Sequence, residues 1–361
     1  MAVLGSRDEP TDAVEDYCRF LGQALSIHDI QLEMARVRWL ELGWTKALEE
    51  WSEHLAESNA TWVLIQYTAL AWSRRGFPME VPRLFRLAKK QGARRAIVFH
   101  DAAAYEGRRF VDRIRRATQL FVMRRLAKSA DATVLTVRPD NISWLPKNVR
   151  DTFFIPVGAN LPQPEKAWHL RKEQRSDKLS VAVFSMSTDS VGEEEVRRIA
   201  EAMRFASDKL GPLRVSVLGR NSEFGGEKLQ KKLVGSRVDV VIHGLVDAEE
   251  VVRVLGESDV MLFVRGPVST RRGSALAGIA CGLPLVATAG WETALPLTSA
   301  GIVAVPDAAP EGLGPALLRV LRDDAFRASL REKSRRVQAE HFSWEAIAAK
   351  YVASLDRMIK R

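Results

Sequence analysis

The chain has 361 residues, 46% of them hydrophobic and 27% charged, with a formal net charge of +9; that length exceeds what one ordinary core fills, so two domains are expected. No apolar run approaches the roughly 20 residues of a membrane-spanning helix and no secretory apolar segment opens the chain, which excludes a spanning helix and leads us to expect a cytoplasmic protein. Cys18 and Cys281 form no CxxC or Cys/His cluster, and His28, His54, His100, His169, His243 and His341 show no ligand spacing, so reduced core cysteines and no metal are expected.

Met1 to Leu4 is an apolar stub before a loop with the Gly, Pro and Asp of GSRDEPTD. Thr11 or Asp12 is placed to cap a helix from Ala13, in which Val14, Tyr17, Cys18, Leu21 and Leu25 recur at helical spacing. Ile30 to Met34 reads as a strand, Trp39 to Leu55 as a helix, and Trp62 to Thr68 (WVLIQYT) as a buried strand. The following loop, ALAWSRRGFP, sits at a strand's C-terminal end, where open α/β sheets bind ligands. Gln66, Tyr67, Arg74 and Arg75 are therefore candidates for acceptor contacts. Helix Val81 to Gln91 leads into strand Arg95 to His100, whose end carries His100 and Asp101, a pair suited to hydrogen bonding or proton exchange with a substrate hydroxyl. Helix Arg108 to Lys128 is expected to turn Phe110, Ile114, Ala117, Phe121 and Leu126 to the core and its arginines elsewhere. Strand Ala132 to Val137, a short helix near Asn141 to Leu145 and strand Thr152 to Val157 follow. The alternation implies a mostly parallel, doubly wound sheet.

Between Leu70 and Asp131 sixteen basic residues stand against five acidic ones, so the rest of the chain is near neutral. Such a field favours an anionic partner: a membrane surface, a nucleotide or a nucleic acid. The Arg108 to Lys128 helix in particular offers a basic face to anionic lipid, while solvated helix faces account for arginines equally well.

Ile155 to Glu165 concentrates Pro, Gly and Asn and reads as a hinge between domains. Strand Leu179 to Phe184, helix Glu193 to Lys209, strand Leu213 to Leu218, strand Val238 to His243, helix Glu249 to Glu257 and strand Val260 to Val264 come next. Gly219, Gly244 and Gly266 each follow a strand, so three strand ends present bare backbone to one nucleotide-sized crevice. The next helix opens on Arg271, Arg272, Gly273 and Ser274. Free backbone N–H groups, a positive dipole end and two guanidiniums converge there on one anion, a geometry that suits a diphosphate. An ordinary crossover with a solvated arginine pair is the alternative. Ala275, Ala277, Gly278, Ala280 and Gly282 let this helix lie close to a sheet. Strands Leu283 to Ala287 and Ile302 to Val305, then helices Pro310 to Arg322, Asp324 to Glu340 and Trp344 to Ile359, complete the pattern.

Four segments carry a resemblance: FFIPVGANL (Phe153 to Leu161), VIHGLVDAEEVVRVLGESDVMLF (Val241 to Phe263), GIACGLPLVAT (Gly278 to Thr288) and HFSWEAIAAKYV (His341 to Val352). In this order and spacing the chain resembles glycosyltransferase family 4, retaining enzymes of the GT-B fold, over nearly its whole length. The resemblance implies two Rossmann-like, doubly wound domains facing across a cleft: an acceptor domain over residues 1–160, a donor domain over 161–342, and a final helix, 343–361, crossing back to the first. It implies a nucleotide-diphosphate sugar as co-substrate, no cofactor, no metal and no nucleic acid. The acceptor would be a glycan, a lipid-linked molecule or a small molecule, reached at the inner membrane face if the protein is peripheral there.

Carried over to this sequence, the backbone at His243, Gly244 and Leu245 would meet the base, and the helix mouth at Gly273 and Ser274 would meet the diphosphate. Arg271 and Arg272, with Arg220 or Arg265 behind them, would supply positive charge, and His100 would contact the donor sugar. The family usually also places a glutamate pair around this helix start; counting back from Cys281, those positions hold Ser269 and Ala277. Ser185 to Gly192 likewise stands where the family has a phosphate-binding Arg and Lys. Three readings follow: an active retaining glycosyltransferase, a non-catalytic GT-B module that binds a nucleotide, glycan or partner, or a sugar-nucleotide epimerase or phosphorylase on the same fold, which the lack of paired carboxylates or a cofactor-lysine motif at the expected places disfavours.

Overall fold

Short apolar strands, each handed to the next by a helix, pair in parallel to build two separate sheets. The computed structural model describes residues 1–107, 109–149, 151–170 and 178–359, so Arg108 of the basic helix lies outside the described residues. Unit 1 comprises Met1–Val157 together with the chain from Trp344 onward, and unit 2 comprises Gly158–Ser343.

In unit 1 the strands are β1 (Ala2–Leu4), β2 (Met34–Arg36), β3 (Trp62–Tyr67), β4 (Arg94–Phe99), β5 (Ala132–Leu135) and β6 (Thr152–Phe154), ordered β2-β1-β3-β4-β5-β6. Helices α1 (Ala13–Ser26), α2 (Trp39–Glu57), α3 (Val81–Lys90) and α4 (Phe110–Ser129) connect them. The apolar stub is thus a central strand: Ala2 and Val3 are fully buried and pair with both β2 and β3. The second strand lies at Met34–Arg36 rather than at Ile30 to Met34. Its partner β1 offers only three residues, and the register Ala2 to Met34, Val3 to Ala35 and Leu4 to Arg36 uses them all. The short helix expected near Asn141 is a single 3₁₀ turn, Pro139–Asn141.

Helix α4 is turned over relative to the expected face. Asp112, Gln119, Val122, Met123, Leu126 and Ala127 are buried, whereas Phe110, Ile114 and Phe121 are 76%, 46% and 52% exposed. Two polar side chains decide the rotation: Gln119 is held by neighbouring loops, and Asp112 closes the capping box at the helix's own start. Gln119 accepts from Tyr105 N at 2.7 Å and donates to Gly76 O at 3.0 Å, and Asp112 accepts from Arg109 N and Arg115.

Unit 2 runs α5 (Ala167–Leu170), β7 (Leu179–Phe184), α6 (Asp189–Leu210), β8 (Leu213–Leu218), α7 (Ser222–Lys232), β9 (Val238–Gly244), α8 (Ala248–Glu257), β10 (Val260–Phe263), α9 (Gly273–Ala280), β11 (Leu285–Ala289), β12 (Ile302–Pro306), α10 (Leu313–Arg322) and α11 (Asp324–Val337). Its all-parallel order is β12-β11-β10-β7-β8-β9. Sequence patterning misses α7, whose Gly225-Gly226 pair reads as a breaker. Helix α9 lies tight on the sheet: a Cβ at Gly278 would stand 2.5 Å from Met261 Sδ, so any larger residue there would have to displace the Met261 side chain.

Chain order reverses between β1 and β3 in unit 1 and between β7 and β10 in unit 2. Open parallel sheets bind ligands beyond the strand C-termini at such switch points. Each unit therefore carries one predestined crevice.

The last helix, α12 (Trp344–Ile359), belongs to unit 1 and packs on α1. Ile347, Ala348 and Tyr351 are buried, Trp344 stacks on Phe20 at 5.6 Å, and the hydroxyls of Tyr17 and Tyr351 hydrogen-bond at 2.8 Å in a dry setting. Tyr351→Phe strands the Tyr17 hydroxyl without that partner. The expected cost is about 1–3 kcal/mol, read as a lower denaturation midpoint at unchanged m-value.

Candidate functional site

The crevice of unit 2 is assembled from the residues that end β7, β8, β10 and β11. After β8 the chain must reverse at once: Gly219 has φ +86°, and a Cβ there would lie 2.6 Å from the Phe184 ring. Its N–H donates to Gly244 O at 2.8 Å, drawing the ends of β8 and β9 together. The β8–β9 register slips there, with Ile242 opposite Val217 but Gly244 opposite Leu218, so His243 is the extra residue of a bulge. The His243 ring is half-buried, Nε2 has no partner among the described residues, and burial holds its pKa below the ordinary imidazole value. Leu245, just beyond, is half exposed, and Glu223 Oε1 lies over Gly244.

Four arginines expected near the diphosphate play different parts. Arg271 is committed: its Nε and Nη2 fork onto the two oxygens of Glu292 at 2.8 and 2.7 Å, and Glu292 is only 7% exposed. Arg272 has no such partner among the described residues. Its Nε is buried without a hydrogen bond among the described residues, its Nη2 reaches over Gly266, and its pKa is pushed down to about 10, by burial first and by the neighbouring Arg271 charge second. Arg265 is in the same position: its Nε is buried and unpartnered, and burial, then Arg220, lower its pKa. Glu195 is the carboxylate that both of these guanidiniums feel. It is 2% exposed and accepts from Ser187 N and Oγ at 2.7 and 2.6 Å.

Beside these cations α9 begins at Gly273 without a side-chain cap. Gly273 is exposed with nothing within 4 Å of a would-be Cβ, so its mouth is open to a ligand. Ser274 is half-buried at the same turn. The two positions where the resemblance implies glutamates hold buried small residues: Ser269 is fully enclosed with an unpartnered Oγ, and Ala277 is 2% exposed on α9. Chemically, the crevice offers an excess of positive charge, helix-start N–H groups and the Ser274 hydroxyl, the requirements of a polyanion site.

Unit 1 has its own cavity, of about 360 Å³, at its switch point. Gly5, Ser6 and Arg7 after β1, Asp12 at the start of α1, Arg36 of β2, and Gln66, Thr68 and Asp101 line it. Asp12 caps α1 by accepting from Val14 N and Glu15 N at 3.1 Å each, while Arg36 bridges Gly5 O, Asp12 and Glu15. Asp101 accepts from Ala69 N at 2.7 Å and so ties down the loop after β3. His100 Nε2 donates to Gln66 Oε1 at 2.8 Å, its ring meets Tyr17 edge-on at 5.1 Å, and burial pushes its pKa down to about 4. The imidazole is therefore neutral at physiological pH with Nδ1 left as the acceptor.

Of the expected acceptor residues, only Gln66 lines this cavity. Tyr67 is fully buried against Phe99 and serves the core, because the period of β3 turns it away from the Gln66 face. Arg74 and Arg75 are exposed on a surface loop beside α4, where Arg75 O accepts from Arg115 Nε. Ser6, Arg7, Asp12, Arg36 and Thr68 escape sequence reading, since the strand that gathers them is only three residues long. Glu195 and Glu292 escape it because they meet their partners across loops.

No family model matches the chain, and no curated protein matches it. Solved structures do. HepE of Anabaena in complex with UDP and glucose aligns over 98% of both chains at TM-score 0.67 and 14% identity. Sucrose-phosphate synthase from Thermosynechococcus elongatus aligns over 99% of this chain and 98% of its own at TM-score 0.67 and 19% identity. A glycosyltransferase from Rickettsia africae covers 100% of this chain and 98% of its own at TM-score 0.64 and 13% identity. Likeness at these identities is one of fold: two Rossmann-like units of six parallel strands each, the GT-B fold.

Proposed function

We propose that the protein is a retaining glycosyltransferase of the family 4 type, acting in the cytoplasm. It takes a nucleotide-diphosphate sugar on unit 2 and a hydroxyl-bearing acceptor, a glycan, lipid-linked or small molecule, on unit 1. The observation that carries this reading is the pair of half-buried arginines, Arg265 and Arg272, whose buried Nε atoms have no hydrogen-bond partner among the described residues, beside the open mouth of α9. Glu195 and Glu292 act on these charges without hydrogen-bonding their Nε atoms, and a partly desolvated cation without a direct partner is costly, so a diphosphate supplies the missing one. The Anabaena protein's crystals with UDP and with UDP-glucose support the choice of ligand class.

In the reaction so assigned, the bond between the sugar's anomeric carbon and the diphosphate oxygen breaks. The acceptor oxygen bonds to that carbon on the same face, and its proton passes to the departing diphosphate. The protein's part is positioning and charge stabilisation of the leaving group. Arg272, Arg265 and Arg220, with the N–H groups at Gly273 and Ser274, hold the developing negative charge. Arg271 fixes the loop through Glu292. The strand-end backbone at His243, Gly244 and Leu245 takes the base, and neutral His100 offers Nδ1 to a sugar hydroxyl. Asp101 shapes the acceptor cavity.

A second reading, a GT-B module that binds a nucleotide without turnover, is favoured by one observation. The glutamate positions are occupied by enclosed Ser269 and Ala277. Release of labelled sugar from donor by the purified protein separates the two.

The two adjacent arginines should behave in opposite ways. Arg271→Ala leaves Glu292 buried and unpaired and should cost about 1–3 kcal/mol of stability. Arg272→Ala removes a charge whose burial and neighbouring Arg271 outweigh its carboxylates, and should leave the melting temperature unchanged or higher while abolishing the thermal shift given by nucleoside diphosphates. A retained shift in Arg272→Ala would remove the phosphate assignment. Protonation gives a further check. The unfolded chain protonates His100 near 6.5 but the folded chain only near 4, so acidification through that window draws protons to the unfolded state and lowers stability. Melting temperature should therefore fall from pH 6.5 towards 4, and His100→Gln should flatten that fall; His243, depressed in the same direction, keeps the remainder.

A further inference from the structure

We propose that α4 docks the protein on an anionic lipid surface, with Phe110, Ile114 and Phe121 entering the boundary between headgroups and acyl chains. This rests on the outward face of one helix and not on the catalytic reading. Phe110, Ile114, Ala117 and Phe121 follow the spacing i, i+4, i+7, i+11, a straight row of about 16 Å along the helix. All four are exposed, because the opposite side of the helix holds Asp112, Gln119, Val122, Met123 and Leu126 in the core. A helix of an ordinary domain spends such a row inward; here the core has been served by the other face.

The row is bordered by cations. Arg113, Arg125 and Lys128 are exposed and make no ion pair among the described residues, and Arg124 is exposed with its Nε on Trp144 O. Glu106, near the helix start, is held by Arg116, and Asp112, the helix's acidic residue, is turned inward against Arg115. Apolar side chains in a row with long basic side chains on either side match the depth profile of a membrane surface. Rings and branched chains reach the acyl boundary while guanidiniums and the ammonium spread onto lipid phosphates. A second copy fits poorly, since a two-fold contact of this face would set guanidiniums against guanidiniums. A nucleic-acid backbone would satisfy the cations but leave the phenyl rings and Ile114 in water.

The test uses the full chain and vesicles of phosphatidylcholine with or without phosphatidylglycerol. Wild-type protein should sediment with the phosphatidylglycerol vesicles at low salt, less at high salt, and scarcely with phosphatidylcholine alone. The variant Phe110→Ser, Ile114→Ser, Phe121→Ser should bind the anionic vesicles about tenfold or more weakly with an unchanged melting temperature. Because Cys18 and Cys281 are buried, a single Phe121→Cys variant labelled with an environment-sensitive fluorophore reports insertion directly. Its emission should rise and shift blue on anionic vesicles. Equal binding by the triple variant, no spectral change at position 121, or no vesicle binding at any ionic strength would each overturn the proposal. So would self-association or duplex binding through these residues in place of lipid binding.

Discussion

Two neighbouring guanidiniums in one turn meet opposite fates, and the chemistry of unit 2 depends on that split. Arg271 is neutralised by a buried glutamate, which anchors the loop after β11 to the start of α9. Arg272 is carried into the same low-dielectric surroundings without a hydrogen-bonded carboxylate among the described residues, and Arg265 stands similarly just after β10. Desolvation makes each of these cations a stronger ligand for an anion than it would be in water. The fixed backbone of α9 adds dipoles that need no reorganisation. Glu195, held by Ser187, limits the positive field without cancelling it.

The two sheets reach comparable crevices by different windings. Unit 2 places β7 fourth and reverses between β7 and β10, whereas unit 1 reverses between β1 and β3, beside a strand of three residues. The first crevice is therefore built from cations and glycines on several strand ends, while the second is lined by the short segments flanking β1. The shortness of β1 and β2 brings Ser6, Arg7, Asp12 and Arg36 to one wall.

Much of the fold is legible in sequence because buried parallel strands appear as predominantly apolar runs: β10 is wholly apolar, β3, β7 and β11 carry a single polar residue each, and β8 alternates with Arg214 and Ser216. Where a strand is brief and its length is dictated by a partner, as with β1 and β2, local pattern carries too little information. Periodicity finds the apolar row of α4 but not its direction, since direction is set by the hydrogen bonds of Gln119 to other segments, with Asp112 turned in to cap the helix start. The RRGS turn was visible as a charged helix start. Which arginine would be engaged was not, because Glu292 lies 21 residues away and no spacing rule links them.

The docking of α12 on α1 has a consequence for synthesis. Tyr351 and Ile347 fill space inside the amino-terminal unit, so that unit stays unfinished while everything between Gly158 and Ser343 is being translated. Domains usually mature from the amino end as they leave the ribosome. Here the later-made Rossmann unit is complete first, and the earlier one, its six strands already made, waits with its α1 surface uncovered for the closing segment to emerge.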